Sequence, residues 1–174
     1  SNFKNLITDS LKKRSKYNIK LVISNNVAAK GLIYARKFKI KKKIINYINK
    51  KNAEKTLLIE LKKNKIELIC LAGFMKILSN NFIKKFGGKI INIHPSLLPK
   101  YKGLNTHQRA INDKQKYSGC TVHYVDSRLD SGKIILQKKV RIFKSDTSKK
   151  LAKKILKQEH ILYPKSLKKV LINL

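Results

Sequence analysis

Residues 66–94, IELICLAGFMKILSNNFIKKFGGKIINIH, contain a strand–loop–helix–strand pattern that decides the fold. Residues 66–72 are apolar except for Glu67, which is typical of a strand covered on both faces. A short helix over Asn80–Phe86 is predicted to end at two glycines, where a positive φ costs little, and residues 89–93 form the next strand. Two strands joined by a helical crossover predict a parallel α/β sheet.

The same alternation of strands and helices extends toward the N-terminus. Helical spacing of apolar residues predicts helices over residues 6–16, 27–37 and 53–64. Strands are predicted between them, a short buried one over residues 19–24 and another over residues 38–45. Either Asn25 or Asn26 is expected to cap the second helix, because amide side chains accept hydrogen bonds from the free N–H groups at a helix start.

Beyond residue 94 the pattern changes. A loop marked by two prolines leads to a predicted helix over Thr106–Asn112, with Thr106 as its expected cap. Predicted strands over residues 120–125 and 134–142 follow each other without a helix, which indicates an antiparallel edge on a mostly parallel sheet. A last helix over residues 147–171 is expected to be interrupted near Pro164, because proline lacks an N–H donor and clashes with the preceding turn.

The charge is strongly positive, with 42 Lys and Arg against 9 Asp and Glu, for a net charge of +33. Such a charge fits a nucleic-acid or anionic-membrane binder, or a lysine-rich solvated surface. Arginine is scarce and no aromatic RNA-stacking motif is present, which favours the solvated surface and disfavours nucleic acid as a partner. No apolar run is long enough to span a bilayer, so no membrane partner is expected.

Cysteine and histidine usage predicts a metal-free protein of a reducing compartment, the cytoplasm. Cys70 and Cys120 are the only cysteines, and both lie in apolar runs typical of buried free thiols. The four histidines show no spacing typical of zinc ligands.

Polar residues collect where three predicted strands end, and ligands of open α/β sheets bind beyond such ends. Asn92 and His94 project to the same side of their strand, because side chains alternate. An amide can donate to a developing oxyanion, and an imidazole can transfer a proton. Asp130, on a nearby turn, is expected to raise the pKa of His94. This set suits acyl transfer to an amine, which needs no Ser or Cys nucleophile.

Each of these features also has a structural interpretation. A histidine before a proline is often a loop residue, asparagine often ends a strand, and the sequence Asp-Ser-Gly is a common turn. The residues by themselves leave the catalytic and the structural interpretation open.

Four runs carry a resemblance to a known family. They are LAGFMKILS (71–79), INIHPSLLPKYKGLNTHQRA (91–110), GCTVHYVDSRLDSGKIILQKKV (119–140) and KQEHILYP (157–164). The chain resembles the phosphoribosylglycinamide formyltransferase family from Ser1 to about Pro164. The resemblance implies one Rossmann-like formyltransferase domain over residues 1–174, with helices on both faces of the sheet. It also implies formyl transfer from 10-formyltetrahydrofolate to glycinamide ribonucleotide in purine biosynthesis, by a monomer or homodimer.

The resemblance also implies roles for individual residues. His94 would transfer the proton, Asn92 would hold the formyl oxygen, and Asp130 would keep His94 charged and oriented. The implied folate-binding residues are Lys50, Met75, Lys76, Ile77, Leu78, Asn92, Asp126 and Asp130. The implied substrate-binding residues are Ser1, Asn2, Gly73 and Glu159.

Relatives in this family begin with a strand and a glycine-containing turn before the Ser-Asn pair. The chain is therefore expected to be an N-terminally truncated copy, with weak phosphate binding and reduced stability. Two alternatives stay open. One is another 10-formyltetrahydrofolate-dependent formyltransferase, acting on methionyl-tRNA or an amino-sugar nucleotide. The other is a non-catalytic basic nucleic-acid-binding protein.

Overall fold

The computed structural model describes residues 1–172, so the last two residues of the predicted domain lie outside the described part of the chain. Six helices and six strands are present within residues 1–172, and they alternate as far as the fifth strand. In chain order they are α1 (Asn2–Ser10), β1 (Leu21–Ser24), α2 (Gly31–Lys37), β2 (Lys41–Ile44), α3 (Lys50–Lys63), β3 (Leu68–Leu71), α4 (Asn80–Phe86), β4 (Lys89–His94), α5 (Thr106–Asn112), β5 (Tyr117–Tyr124), β6 (Ile134–Arg141) and α6 (Ser148–Leu171).

The strands form the predicted mixture of parallel and antiparallel pairs, which confirms the α/β fold class. Strand β1 pairs with β2 in parallel, and β3 pairs with β4 in parallel. Strands β5 and β6 then continue the second sheet in antiparallel order, as β3-β4-β5-β6. The parallel pairs belong to two separate sheets, because β1 and β3 are not hydrogen-bonded to each other.

Helices cover both faces of the four-stranded sheet, because successive side chains of a strand point to opposite faces. Leu68 and Cys70 of β3 pack into a core with α1 and α6. Ile69 and Leu71, the alternate residues, pack into a second core with α3 and α4. Both predicted thiols are free. Cys120 is buried, while Cys70 is half-buried.

Helix α6 runs without interruption through Pro164, so the predicted break near this residue is wrong. Pro164 itself is buried, and the helix buries Leu151 and Ile155 before it and Leu167 and Val170 after it. Burial of apolar side chains on both sides of the proline stabilises the helix by more than the single lost hydrogen bond costs. In the described part of the chain, no helix is long and apolar enough to cross a membrane.

The predicted starts of α1, α2 and α3 and the predicted cap of α5 differ from the observed ones. Helix α3 begins at Lys50, three residues before its predicted start, because the Asn49 side chain accepts from the Asn52 N–H. Helix α1 begins at Asn2 because the Ser1 hydroxyl accepts from the Lys4 N–H, and it ends before the basic residues that follow. Helix α2 begins only at Gly31, because the Asn26 side chain accepts from the Ala28 N–H and forms a turn instead of a cap. The α5 cap is Asn105, in the left-handed region at φ 56°, rather than Thr106.

Candidate active site

At the ends of β4 and β5, two predicted site residues, Asn92 and His94, lie close to a second histidine, His123. Asn92 and His94 lie on one face of β4, and the antiparallel register places His123 of β5 opposite Asn92. The turn after β5 then returns Asp130 to the same place. Gly132 allows this return, because a Cβ at that position would lie only 1.8 Å from the Tyr124 carbonyl oxygen.

His94 is buried, with 5% of its surface exposed, and both ring nitrogens face acceptors. Nε2 lies 2.8 Å from the Tyr101 carbonyl oxygen, to which it donates. Nδ1 lies 3.3 Å from Asp130 Oδ2. The bond to Tyr101 requires a proton on Nε2, and a second proton on Nδ1, which the imidazolium carries, would point at the carboxylate.

Asp130 raises the pKa of His94 as expected, but burial has the larger effect. Burial lowers the pKa of His94 below the ordinary histidine value, although the Tyr101 carbonyl and the Asp130 carboxylate both favour the imidazolium. The loss of hydration lowers the pKa of His94 by more than the nearby Asp130 carboxylate raises it. Burial therefore favours the neutral imidazole, whereas the Asp130 carboxylate favours the charged form.

Asp130 is held in place by three groups. The Gly103 N–H donates to Oδ2 at 2.9 Å, His123 Nε2 lies 3.6 Å from Oδ1, and His94 completes the set. Burial by itself raises the pKa of Asp130. The His123 and Gly103 hydrogen bonds and the two nearby imidazoles together lower it by more, so the net shift is downward. The carboxylate consequently stays ionised inside the protein.

His123 is a site residue that the sequence interpretation missed. It is 2% exposed, and its Nδ1 donates to the Tyr124 carbonyl at 2.8 Å. Its Nε2 lies 3.4 Å from the Asn92 amide nitrogen. The available signal was a polar ring in the otherwise apolar alternation of CTVHYV, but only the β4–β5 register reveals its neighbours.

The loop that follows His94 is tied to the neighbouring strands by a second polar cluster. The Thr121 hydroxyl donates to the Ser96 carbonyl at 2.6 Å and accepts from the Leu98 N–H at 3.1 Å. The Gln137 amide donates to both Thr121 Oγ1 and the Leu98 carbonyl. These buried bonds anchor the backbone from which His94 and Tyr101 project.

The predicted folate-binding residues lie on three separate segments. Met75, Lys76 and Ile77 are exposed on the loop between β3 and α4, whereas Leu78 is buried in the core. Lys50 is the exposed first residue of α3, and Asp126 lies in the turn after β5. The Asp126 carboxylate accepts from the Arg128 N–H at 2.9 Å.

Among the predicted substrate-binding residues, Asn2 and Glu159 contact each other directly, whereas Ser1 and Gly73 lie at a helix start and in a loop. The Asn2 amide donates to Glu159 Oε2 at 2.7 Å, which joins the start of α1 to the middle of α6. Burial raises the pKa of Glu159, and the Asn2 bond opposes that shift. Ser1 caps α1, and Gly73 has φ 69° with open space around its α-carbon.

The geometry supports proton transfer beside a developing negative charge. The Nδ1 of a buried imidazole lies 3.3 Å from a carboxylate oxygen, and an amide side chain lies on the same strand face. Such a set can accept a proton from an attacking amine and stabilise the resulting imidazolium. It can also donate to an oxyanion.

Comparison with known proteins agrees with this chemistry. Residues 1–167 match the family described as formyl transferase. The chain is 39% identical to the human "Trifunctional purine biosynthetic protein adenosine-3" over 98% of its own length, but it spans only 17% of that protein. It is 36% identical to "Phosphoribosylglycinamide formyltransferase" of Bacillus subtilis, covering 98% of this chain and 89% of the relative.

A solved structure gives the same result for the fold. The crystal structure of phosphoribosylglycinamide formyltransferase from Anaplasma phagocytophilum superposes with a TM-score of 0.93 at 39% identity. The match covers 99% of this chain and 81% of the other.

Proposed function

The chain belongs to the formyl transferase family, and we propose that it is a single formyltransferase domain that formylates the amine of glycinamide ribonucleotide in purine biosynthesis. The formyl donor in this proposal is 10-formyltetrahydrofolate. The observation that carries the proposal is the buried cluster of Asn92, His94 and Asp130, which has the chemistry that formyl transfer requires. Relatives named for this reaction, matched over most of the chain, support the choice of acceptor.

The proposed folate site extends from the cluster along the loop between β3 and α4. Met75 and Ile77 are 73% and 55% exposed, so their apolar side chains are available to contact a flat ring. Lys50, Lys76 and Asp126 add polar groups around the loop, Leu78 anchors it in the core, and Asn92 and Asp130 meet the formyl end.

The proposed nucleotide site lies on the other side, along Ser1, Asn2, Gly73 and Glu159. The start of α1 carries free N–H groups on the positive end of a helix dipole, which suits a phosphate. Glu159 is held by Asn2 and is placed to orient the amine or ribose of the acceptor.

The donor supplies a formyl carbon bound to an amine leaving group, and this chain's residues stabilise its transfer. As the acceptor nitrogen adds to that carbon, the Asn92 amide donates to the oxygen that becomes negative. His94 Nδ1 takes the proton that the acceptor nitrogen loses and returns it to the departing nitrogen. Asp130 pairs with the imidazolium between these two steps, so the proton count is unchanged at the end.

The cytoplasm is the proposed compartment. Cys70 and Cys120 are both free thiols, and free thiols persist where the surroundings are reducing. Burial raises the pKa of Cys120 to about 12, which also keeps that thiol in its unreactive protonated form.

The test compares acceptors and catalytic variants in one assay. We expect formyl transfer from 10-formyltetrahydrofolate to glycinamide ribonucleotide, and none to methionyl-tRNA or to an amino-sugar nucleotide. His94→Ala and Asp130→Ala should each lower kcat by about 10² to 10⁴, as for other general acid–base groups. Near-normal turnover in either variant would contradict the catalytic assignment. Transfer only to methionyl-tRNA or to an amino-sugar nucleotide would show that the acceptor is not glycinamide ribonucleotide.

A further inference from the structure

A cavity of about 570 Å³ opens between the His94 loop and the edge of the β5–β6 hairpin. Its wall is formed by residues of three segments, namely Leu97 with Pro99–Tyr101, residues 114–118 and Lys139. Tyr117 and His123 are six residues apart on β5, so the β5 side of the cavity lies about 20 Å from His123 along the strand, whereas the Tyr101 backbone borders both places. The two places share only the loop that ends at Tyr101.

The charge of the lining is entirely positive. Lys100, Lys114, Lys116 and Lys139 line the cavity, and none of its lining residues is acidic. Lys100 donates to the Gln115 side chain at 3.1 Å, so one of the four ammonium groups is already oriented at the wall. Four clustered ammonium groups repel one another, and that repulsion is relieved by a ligand with two or more negative charges.

The remaining lining provides aromatic and apolar surface. The Tyr117 ring is 43% exposed, with Lys139 Nζ 3.7 Å from its centroid. Tyr101, Leu97 and Pro99 also line the cavity, and the Tyr101 hydroxyl donates to the Asp113 carboxylate at 2.7 Å. A ligand that combines phosphates with a flat ring therefore matches both parts of the lining.

We propose that this cavity binds a phosphorylated small molecule that carries a ring, with a nucleoside diphosphate as the representative chemistry. The volume lies within the range of small-molecule sites. Single-stranded nucleic acid instead uses an extended basic groove that follows several nucleotides, which a single cavity of this size does not offer. The site is independent of the formyl-transfer assignment, because it shares no proposed catalytic residue.

The experiment measures binding of three probes to the full chain by calorimetry, namely adenosine 5′-diphosphate, inorganic pyrophosphate and adenosine. The test pair is Lys116→Gln with Lys139→Gln. The control pair, Lys62→Gln with Lys63→Gln, removes the same charge from the exposed end of α3. A second test pair, Lys100→Gln with Lys114→Gln, repeats the measurement from the other walls, and thermal melts check that every variant folds.

We expect the diphosphate to bind more tightly than pyrophosphate and far more tightly than adenosine. Either test pair should weaken it by about tenfold or more, while the control pair changes it little. Excess glycinamide ribonucleotide should leave the titration unchanged, since the proposed active site is elsewhere. Three results would overturn the proposal: no binding of either phosphate probe, equal weakening by test and control pairs, or displacement of the diphosphate by single-stranded oligoadenylate.

Discussion

His123 lies directly across the β4–β5 ladder from Asn92, with its Nε2 3.4 Å from the Asn92 amide nitrogen. The same Nε2 is 3.6 Å from Asp130, which in turn faces His94. The amide, both imidazoles and the carboxylate therefore form one connected cluster, in which a change at any member alters the others.

His123→Ala should lower kcat without a matching rise in KM. The lost imidazole removes a hydrogen bond that lowers the pKa of Asp130, and it leaves the Asn92 amide less well oriented. Loss of one hydrogen bond to a charged group corresponds to a decrease of about 10-fold to 100-fold. Steady-state kinetics for each substrate would check this, and an unchanged kcat would show that His123 is only a core residue.

Asp130→Asn should move the acid limb of the kcat/KM profile to lower pH. The neutral form of His94 is the active one in the proposed mechanism, so activity rises with pH through the pKa of His94. The Asp130 carboxylate favours the imidazolium, so its removal lowers that pKa further. The measurement is the pH dependence of kcat/KM for the variant, whose maximal rate is expected to be reduced. A shift of the acid limb toward higher pH would contradict the assigned interaction between Asp130 and His94.

Gly132→Ala should destabilise the fold and disturb the site together. A Cβ there would overlap the Tyr124 carbonyl, so the turn that carries Asp130 has to move. We expect a cost of about 1–3 kcal/mol in the free energy of unfolding, by analogy with overpacked cores. Gly87→Ala is the matched control, since it has φ 69° and open space and should cost about 1 kcal/mol with normal activity. Denaturant unfolding and turnover separate the two variants.

Glu159→Gln should raise the melting temperature at neutral pH while it impairs the acceptor site. Burial raises the folded pKa of Glu159 above its unfolded value, so wild-type stability falls as pH rises from the unfolded pKa through the folded one. The amide removes that loss and still accepts from Asn2. Melts at acidic and neutral pH test the first effect, and the KM for glycinamide ribonucleotide tests the second. A lower melting temperature for the variant at neutral pH would contradict the raised pKa of Glu159 in the folded protein.

Local chemistry made the most accurate predictions from the sequence. The bounds of α4 were predicted because both of its ends are local, with the Ser79 hydroxyl on the Phe82 N–H and Gly87 in the left-handed region. The uninterrupted helix through Pro164 was not predicted, since the packing that holds it comes from distant strands. The convergence of Asn92, His94 and Asp130 followed from the order of strand ends.

Properties that depend on residues from distant segments could not be predicted from the sequence. The lowered pKa of His94 depends on how much water is excluded, which no spacing of residues encodes. The role of His123 depends on a register between two strands that lie about thirty residues apart. Both belong to the site, where neighbours from distant segments decide the chemistry.

The division of the strands into two sheets has a consequence for how the molecule opens. Strands β1 and β2 share no ladder hydrogen bond with β3-β4-β5-β6, so the shorter pair can fray without breaking the longer ladder. Backbone amides of β1 and β2 would then exchange with solvent deuterium sooner than those of β4 and β5. Asn92, His94 and His123 lie on the slower-exchanging unit, so their alignment survives fluctuations that open the two-stranded sheet.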